Sequence, residues 1–319
     1  MLSRTAESLY WLGRYLERAE NLARLADVNL QVATEQIGDA EEPWAAVIAT
    51  MGATEAFEEA LKKRPDLSPT DFVIYSTDYS QSLRSSITRA RGLAREIREH
   101  LSREVFEEIN RLYLGTNPTS TARDARGMRS LYASVKRGVA SIYGLFDNTV
   151  LFTEGREWFR CGMYLERADM TSRIIDAKYF VLLPSPEDVG GPLDRYQWMA
   201  VLRSASALEA FRKRHHTVSG PRVADLLMFD RFFPRSLMFC AAALRRHFEQ
   251  GTEATPDARA VRVVRSIALL ELDLRAADAS RVIGRGLHEF LDTFQLRLGE
   301  VNATMTEDIF RAVPDTPTA

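Results

Sequence analysis

One stretch of this chain occurs twice, and it constrains the fold more than any other feature. Residues 15–27 read YLERAENLARLAD and residues 164–176 read YLERADMTSRIID, with a constant separation of 149 positions. Gly13 and Gly162 match at the same separation. Because so many irregularly spaced identities do not arise by chance, the pair indicates an internal repeat.

Each copy predicts an amphipathic helix with a charged stripe. At about 100° per residue, the charged positions of each copy fall within an arc of roughly 80°. The stripe residues are Glu17, Glu20, Arg24 and Asp27 in the first copy and Glu166, Asp169, Arg173 and Asp176 in the second. The first copy has an apolar face opposite its stripe. The second is more apolar around its stripe and Arg167, so we expect it to be the central helix, with partly buried charges.

The acids of a stripe need positive partners, because Glu17 and Glu20 form an unfavourable like-charge pair at i,i+3. Four partners fit: an arginine of the other copy across a pseudo-two-fold axis, an arginine of another helix, a metal ion, or a ligand amine. The stripes are accordingly interpreted in three ways. They form an ion-pair lattice that docks the two halves, they line a binding or active site, or they are a solvated face.

The repeat extends beyond these helices. Further matches, including the tryptophans at 44 and 198, occur at a separation of 154, and a five-residue insertion in the 184–192 loop, PSPEDVGGP, explains the change. The sequence therefore predicts one domain, residues 1–319, built from two tandem repeats at approximately 1–150 and 151–312, with a disordered tail at 313–319. The other exposed loop is expected at 115–127.

The fold class predicted is all-α, because no long segment alternates with period two and Gly and Pro cluster at breaks. We expect a helical bundle with an internal tandem duplication and pseudo-two-fold symmetry. The main helices are expected at 3–36, 44–63, 80–100, 102–114, 128–150, 154–182 and within 257–303. The segment DFVIY at 71–75 is predicted as a short helix or apolar link, since a single strand would have no partner.

Composition and motifs exclude several function classes. The net charge of −2 over 319 residues disfavours nucleic-acid binding. Cys161 and Cys240 lie in apolar contexts, which predicts core thiols and a reducing compartment. Without a signal-peptide core or an apolar span, the chain is expected to be cytoplasmic and away from membranes. No nucleotide-binding, zinc-protease or serine-hydrolase motif is present, and we expect neither a metal site nor a cofactor.

A second cationic stripe lies on the helix predicted at 80–100. It consists of Arg84, Arg91, Arg95 and Arg98. Its four arginines fall on one face within roughly 60°. They either complement the acidic stripes inside the fold or bind phosphates or an acidic partner.

Several separated segments resemble one known family. They are MLSRTAESLYWLGRYLERAENLARL at the start, YLERADMTSRIID, SSITRARGLAREIREHLSREVFEEIN and FPRSLMFC. Together these segments resemble the Alpha-E family, a bacterial all-helical group named for its Glu-Arg motif, over nearly the whole chain. The motif maps to Glu17 and Arg18 in the first copy and to Glu166 and Arg167 in the second.

This resemblance implies a function in peptide synthesis or modification. Alpha-E proteins are encoded beside, or fused to, circularly permuted ATP-grasp ligases, often with a transglutaminase-like protein, and no catalytic residue transfers from them. The chain has no ATP-grasp segment, so the ligase is expected to be a separate polypeptide.

The first functional hypothesis is therefore a helical partner subunit that binds the ligase or its substrate through the Glu-Arg helices. In its substrate-binding version, Glu17, Glu20, Glu166 and Asp169 bind an amine and Arg18, Arg24, Arg167 and Arg173 bind a carboxylate. One alternative is a stand-alone enzyme that uses paired carboxylates in a central cleft. The other is a non-catalytic scaffold that forms a homodimer.

Overall fold

The computed structural model describes residues 1–35, 43–117, 124–180, 189–253 and 258–311, and within these ranges the regular structure is entirely helical. This confirms the all-α prediction. The first half contains α1 (Ser3–Glu35), α2 (Pro43–Thr50), α3 (Thr54–Lys63), α4 (Leu83–Glu96), α5 (Arg103–Gly115) and α6 (Ala125–Thr149). The second contains α7 (Glu154–Phe180), α8 (Pro192–Ser204), α9 (Leu208–Arg212), α10 (Gly220–Ala224), α11 (Leu237–Thr252), α12 (Ala258–Ala276), α13 (Ala279–Arg285) and α14 (Leu287–Met305).

The two helices that carry the repeated stretch, α1 and α7, pack against each other at the centre of the core. Helices α4 and α6 pack on α1, while α11 and α14 pack on α7. Large apolar side chains of both central helices are fully buried, among them Leu16 and Leu22 of α1 and Phe159 of α7. The expectation that the second copy is central is therefore met, and the first copy is equally central.

Two glycines allow this close approach of α1 and α7. A Cβ atom at Gly13 would lie 2.2 Å from the carbonyl oxygen of Phe159, and one at Gly162 would lie 1.9 Å from that of Tyr10. No side chain larger than hydrogen fits either position while the helices stay where they are. The matching glycines seen in the sequence thus mark the point where the two helix backbones meet.

The same local structures recur in the two halves at the sequence separation of 154. Asp71–Tyr75 and Asp225–Phe229 are both single π-helical turns. Ser82 and Ser236 each cap the helix that follows, and the hydroxyl of each also donates back to a carbonyl of the preceding turn. A duplication would produce such recurring local structures. The tandem duplication with pseudo-two-fold symmetry stays a prediction.

Two predicted helical regions are broken in the structure, whereas the segment 71–75 is short and helical as predicted. The helix expected at 44–63 is two helices, because the chain turns at Gly52, whose φ of +62° is in the region that favours glycine. The helical region expected at 257–303 is broken into α12, α13 and α14, and Gly286, between the last two, has a positive φ of +132°. The DFVIY segment is one of the π-helical turns, with three of its apolar side chains buried.

Other expectations concern the loops, the cysteines and membrane insertion. The predicted loops at 115–127 and 184–192 fall partly, and the predicted tail at 313–319 entirely, outside the described residues. Cys161 and Cys240 are buried free thiols, as expected of core residues. No helix among the described residues combines the length and apolar character that crossing a lipid bilayer requires.

Candidate functional site

Glu17 of α1 is completely buried and fully bonded. From α7, Arg167 donates with Nε to Oε1 at 2.9 Å and with Nη2 to Oε2 at 2.8 Å. Arg235, just before α11, donates to Oε1 at 2.9 Å, and the Tyr143 hydroxyl of α6 donates to Oε2 at 2.9 Å. The Asn21 amide adds a bond at 3.2 Å. Such a carboxylate has no oxygen left for a substrate.

Glu166 of α7 occupies the corresponding place in the second copy. Arg18 of α1 donates with Nε to Oε1 at 2.5 Å and with Nη2 to Oε2 at 2.9 Å. Arg14, one turn earlier on α1, donates to Oε2 at 2.8 Å and also binds the Asn302 side chain of α14 at 2.8 Å. The Glu166 side chain is only 1% exposed.

The two pairs are reciprocal between α1 and α7. The glutamate of each Glu-Arg dipeptide forms an ion pair with the arginine of the other copy. Glu17 pairs with Arg167, and Glu166 pairs with Arg18. We call these four residues, with the added arginines Arg14 and Arg235, the Glu-Arg centre. Of the four partners expected for the acids, an arginine of the other copy is confirmed by Arg167 and Arg18, and Arg235 is an arginine from the segment before α11.

The remaining stripe residues of α1 extend away from the centre. Glu20 accepts from Arg235 at 2.7 Å and also from Arg24 of its own helix. Asp27 lies further along and accepts from Lys136 of α6 at 2.6 Å. The structure thus connects Glu20 and Arg24 to the Glu-Arg centre through Arg235, whereas Asp27 forms a separate pair.

On α7 the stripe is divided in a similar way. Asp169 accepts from Arg173 of the same helix at 3.0 Å. Oδ1 of Asp176 lies 2.8 Å from Nδ1 of His288 of α14. Asp169 and Arg173 therefore pair locally, and Asp176 is held by α14.

The arginines keep the central carboxylates ionised. Burial alone would raise the pKa of Glu17, but the charges of Arg167 and Arg235 outweigh it and lower that pKa to about 2. For Glu166, Arg18 and Arg14 likewise outweigh burial and lower the pKa. A general acid or base needs a pKa near the operating pH. Neither glutamate meets that requirement.

This pKa shift predicts an acid sensitivity. A carboxyl whose pKa is lower in the folded state stabilises the fold above its ordinary pKa, near 4.5, and loses that contribution as the pH falls toward its folded pKa, near 2. At about 1.4 kcal/mol per pKa unit, Glu17 contributes on the order of 3 kcal/mol. The free energy of unfolding, measured with urea, should therefore fall as the pH is lowered stepwise from 5 to 2, and it should fall less steeply in Glu17→Gln. An equal slope in the two proteins would contradict this assignment.

The cationic stripe of α4 does not complement the acidic stripes. Arg84 donates to the carbonyl of Tyr113 at 2.8 Å, and Arg91 donates to the Asn110 side chain at 2.8 Å, both on α5. Arg98 lies over the Phe106 ring, and Arg95 is exposed. The alternative in which they pair with the acidic stripes is wrong, because Arg84 and Arg91 bind α5 instead and Arg98, which follows the end of α4, packs on an α5 ring.

Sequence reasoning missed three members of the network. Arg14 was visible only as an arginine one turn before the motif, and Arg235 only as part of the FPRSLMFC segment. No sequence pattern indicated Tyr143, because its partner Glu17 is 126 positions away. In the described part of the chain, no group of three or more His, Cys, Asp or Glu side chains is arranged to hold a metal.

The reciprocal Glu-Arg pairs correspond to the motif of a known protein family. The profile of the Alpha-E family, described as a predicted alpha-helical domain with a conserved ER motif, matches residues 1–310. The chain belongs to the Alpha-E family. In this Alpha-E chain the dipeptide Glu-Arg occurs at two places, 17–18 and 166–167. These are the four residues that pair reciprocally, which assigns the motif to the junction of α1 and α7.

Curated relatives of this Alpha-E domain are longer proteins. Uncharacterised proteins of Mycobacterium bovis and Mycobacterium tuberculosis are each 24% identical over 284 residues, covering 82% of this chain. The match spans only 31% of each relative. No solved structure gives a significant match.

Proposed function

We propose that this Alpha-E chain is a non-catalytic helical partner of an ATP-grasp peptide or amide ligase carried on a separate polypeptide. One observation carries the proposal: the carboxylates of the Glu-Arg centre are buried, ionised and saturated by arginines. This arrangement fits a centre that fixes the relative position of α1 and α7 and leaves the chemistry to another protein. It does not fit the alternative of an enzyme that uses paired carboxylates in an open cleft.

The size of the relatives supports a domain that acts together with other sequence. About two thirds of each mycobacterial relative lies outside the match. A domain that is joined to further chain in these relatives is placed to act by contact with that further part. In this chain, the ligase named by the family resemblance is the partner we propose, within a peptide synthesis or modification system.

The outer face of α12 is the surface that we assign to this contact. Val261, Leu269 and Leu272 are 65%, 50% and 59% exposed. At about 100° per residue they fall within roughly 80° of each other. Grouped exposed apolar side chains are typical of protein interaction surfaces. A peptide ligase that binds there would cover them.

The test is a pull-down of the chain with the ATP-grasp protein encoded nearest to it, followed by ATP turnover of that ligase with and without the chain. We expect binding and a raised turnover. Leu272→Glu should weaken binding at least tenfold without changing the thermal unfolding of the chain. The matched control is Leu114→Glu on α5, where the side chain is 56% exposed and binding should be unchanged.

Two results would count against the proposal in different ways. Absence of binding and of any effect on turnover, with wild-type chain shown to be folded, would contradict the partner function itself. Binding that Leu272→Glu leaves at wild-type strength would keep the partnership and reject the α12 face as its site.

A further inference from the structure

A cavity of about 260 Å³ opens beside the C-terminal half of α1, next to the Glu-Arg centre. Polar side chains of several elements line it, among them Arg24 and Asp27 on α1, Lys136 on α6, Arg203 on α8 and Ser206 in the following turn. Val28, Gln31, Leu208 and Glu209 complete it. The volume corresponds to roughly nine water molecules at about 30 Å³ each, enough for a small molecule. We call it the Arg24 cavity.

The charges next to this cavity do not balance. On the α1 side of the Glu-Arg centre, two carboxylates, Glu17 and Glu20, face the three guanidiniums of Arg24, Arg167 and Arg235. Counted over the described residues, one buried positive charge is in excess. The α7 side has a similar excess, but there the Arg173 side chain is 31% exposed, so that solvent screens it more than it screens Arg24, which is 18% exposed.

The excess charge is concentrated on Arg24. Glu20 is its ion-pair partner, and Glu20 is shared with Arg235. The Nε of Arg24 is buried without a hydrogen-bond acceptor in the described structure. Burial lowers the pKa of Arg24, and the charge of Arg235 lowers it further against the opposing effect of Glu20. An uncompensated buried charge is unfavourable unless a counter-charge approaches it.

The other cations of the Arg24 cavity leave room for such a counter-charge. The side chain of Arg203 is half-buried, and no residue of the described ranges forms an ion pair with it. Lys136 is neutralised by Asp27, and Glu209 pairs with Arg212. Arg24 and Arg203 are therefore two guanidiniums in one small cavity, and the described residues do not supply a full complement of negative charge for them.

We propose that the Arg24 cavity binds a small oxyanion, a carboxylate or phosphate group, between the guanidiniums of Arg24 and Arg203. Guanidinium groups bind both anions through paired, charge-assisted hydrogen bonds. The bound group supplies the negative charge that Arg24 lacks. The inference is independent of the ligase partnership, because it rests on the charges and the shape of this cavity alone.

The test is isothermal titration of the full chain with inorganic phosphate and, separately, with acetate, at constant ionic strength in sodium chloride. We expect saturable binding of at least one of them, and the arm that binds identifies the phosphate or carboxylate source. Arg203→Gln should weaken that binding at least tenfold without changing the unfolding midpoint of the free protein. Arg24→Gln should also weaken it, while it removes a buried excess charge and so does not lower stability.

Arg212→Gln is the matched control. Arg212 lies on α9 close to the cavity, its side chain is 57% exposed, and it does not line the cavity. Its substitution should leave the affinity unchanged. Failure of both anions to saturate, or an affinity in Arg203→Gln equal to that of the wild type, would overturn the proposal.

Discussion

Replacing Gly162 by alanine is expected to destabilise the chain by more than about 3 kcal/mol, the upper range for overpacking a core. The added Cβ would lie 1.9 Å from the carbonyl oxygen of Tyr10 and 2.8 Å from its carbonyl carbon. Backbone atoms cannot turn aside as a flexible side chain can, so α1 and α7 would have to separate. This separation would also lengthen the hydrogen bonds of the Glu-Arg centre, which lies a few residues further along the same two helices.

The control for this prediction is Gly144→Ala on α6, where an added Cβ meets nothing within 4 Å. Alanine is favoured over glycine inside a helix by about 1 kcal/mol, so this variant should be as stable as wild type or more so. Urea unfolding of the two variants makes the comparison. If Gly162→Ala were as stable as Gly144→Ala, the close contact of α1 and α7 would be wrong.

Replacing Glu17 by glutamine is expected to destabilise the chain by about 3–5 kcal/mol, the range for removing one member of a buried ion pair. Glutamine has nearly the same shape but no charge, so Arg167 and Arg235 would keep buried positive charges that only Glu20 could offset. Helical content below the unfolding transition should be unchanged, because the substitution does not alter the backbone. Urea unfolding followed by circular dichroism measures both quantities.

A matched control exists on the surface. Glu107 of α5 pairs with Arg103 at i,i+4, and both side chains are more than half exposed. Exposed pairs contribute little to stability. Glu107→Gln should leave the unfolding transition almost where it is in the wild type. Equal effects of the two glutamine variants would show that Glu17 is not the buried anchor described here.

Much of the fold was predictable from the sequence, because its signals are local. Helical periodicity located the long helices, and α1 begins at Ser3, its predicted start. The repeated stretch marked the two central helices, with Gly13 and Gly162 as the matching small residues. What periodicity could not detect was the turn at Gly52, since a single positive φ interrupts the chain without changing its apolar pattern.

The partners within the site were less predictable, because they depend on how helices cross. The stripe residues were identified, and an arginine of the other copy was among the partners considered for them. Yet the choice of Arg235 and Tyr143 as further partners of Glu17 joins residues more than a hundred positions apart. The contact of the α4 arginines with α5 was unpredictable for the same reason, because it depends on how the helices pack. Its helical spacing shows that the arginines share a face but not which neighbour that face meets.

The central claim, that the two Glu-Arg dipeptides pair across α1 and α7, is tested most directly by a double-mutant cycle between Glu17 and Arg167. The variants are Glu17→Gln, Arg167→Met and their combination, each unfolded in urea. We predict a coupling energy of about 2–3 kcal/mol, because removing both charges leaves fewer uncompensated groups than removing either one. Effects that add to within about 0.5 kcal/mol would show that the two side chains do not interact, and would contradict the account.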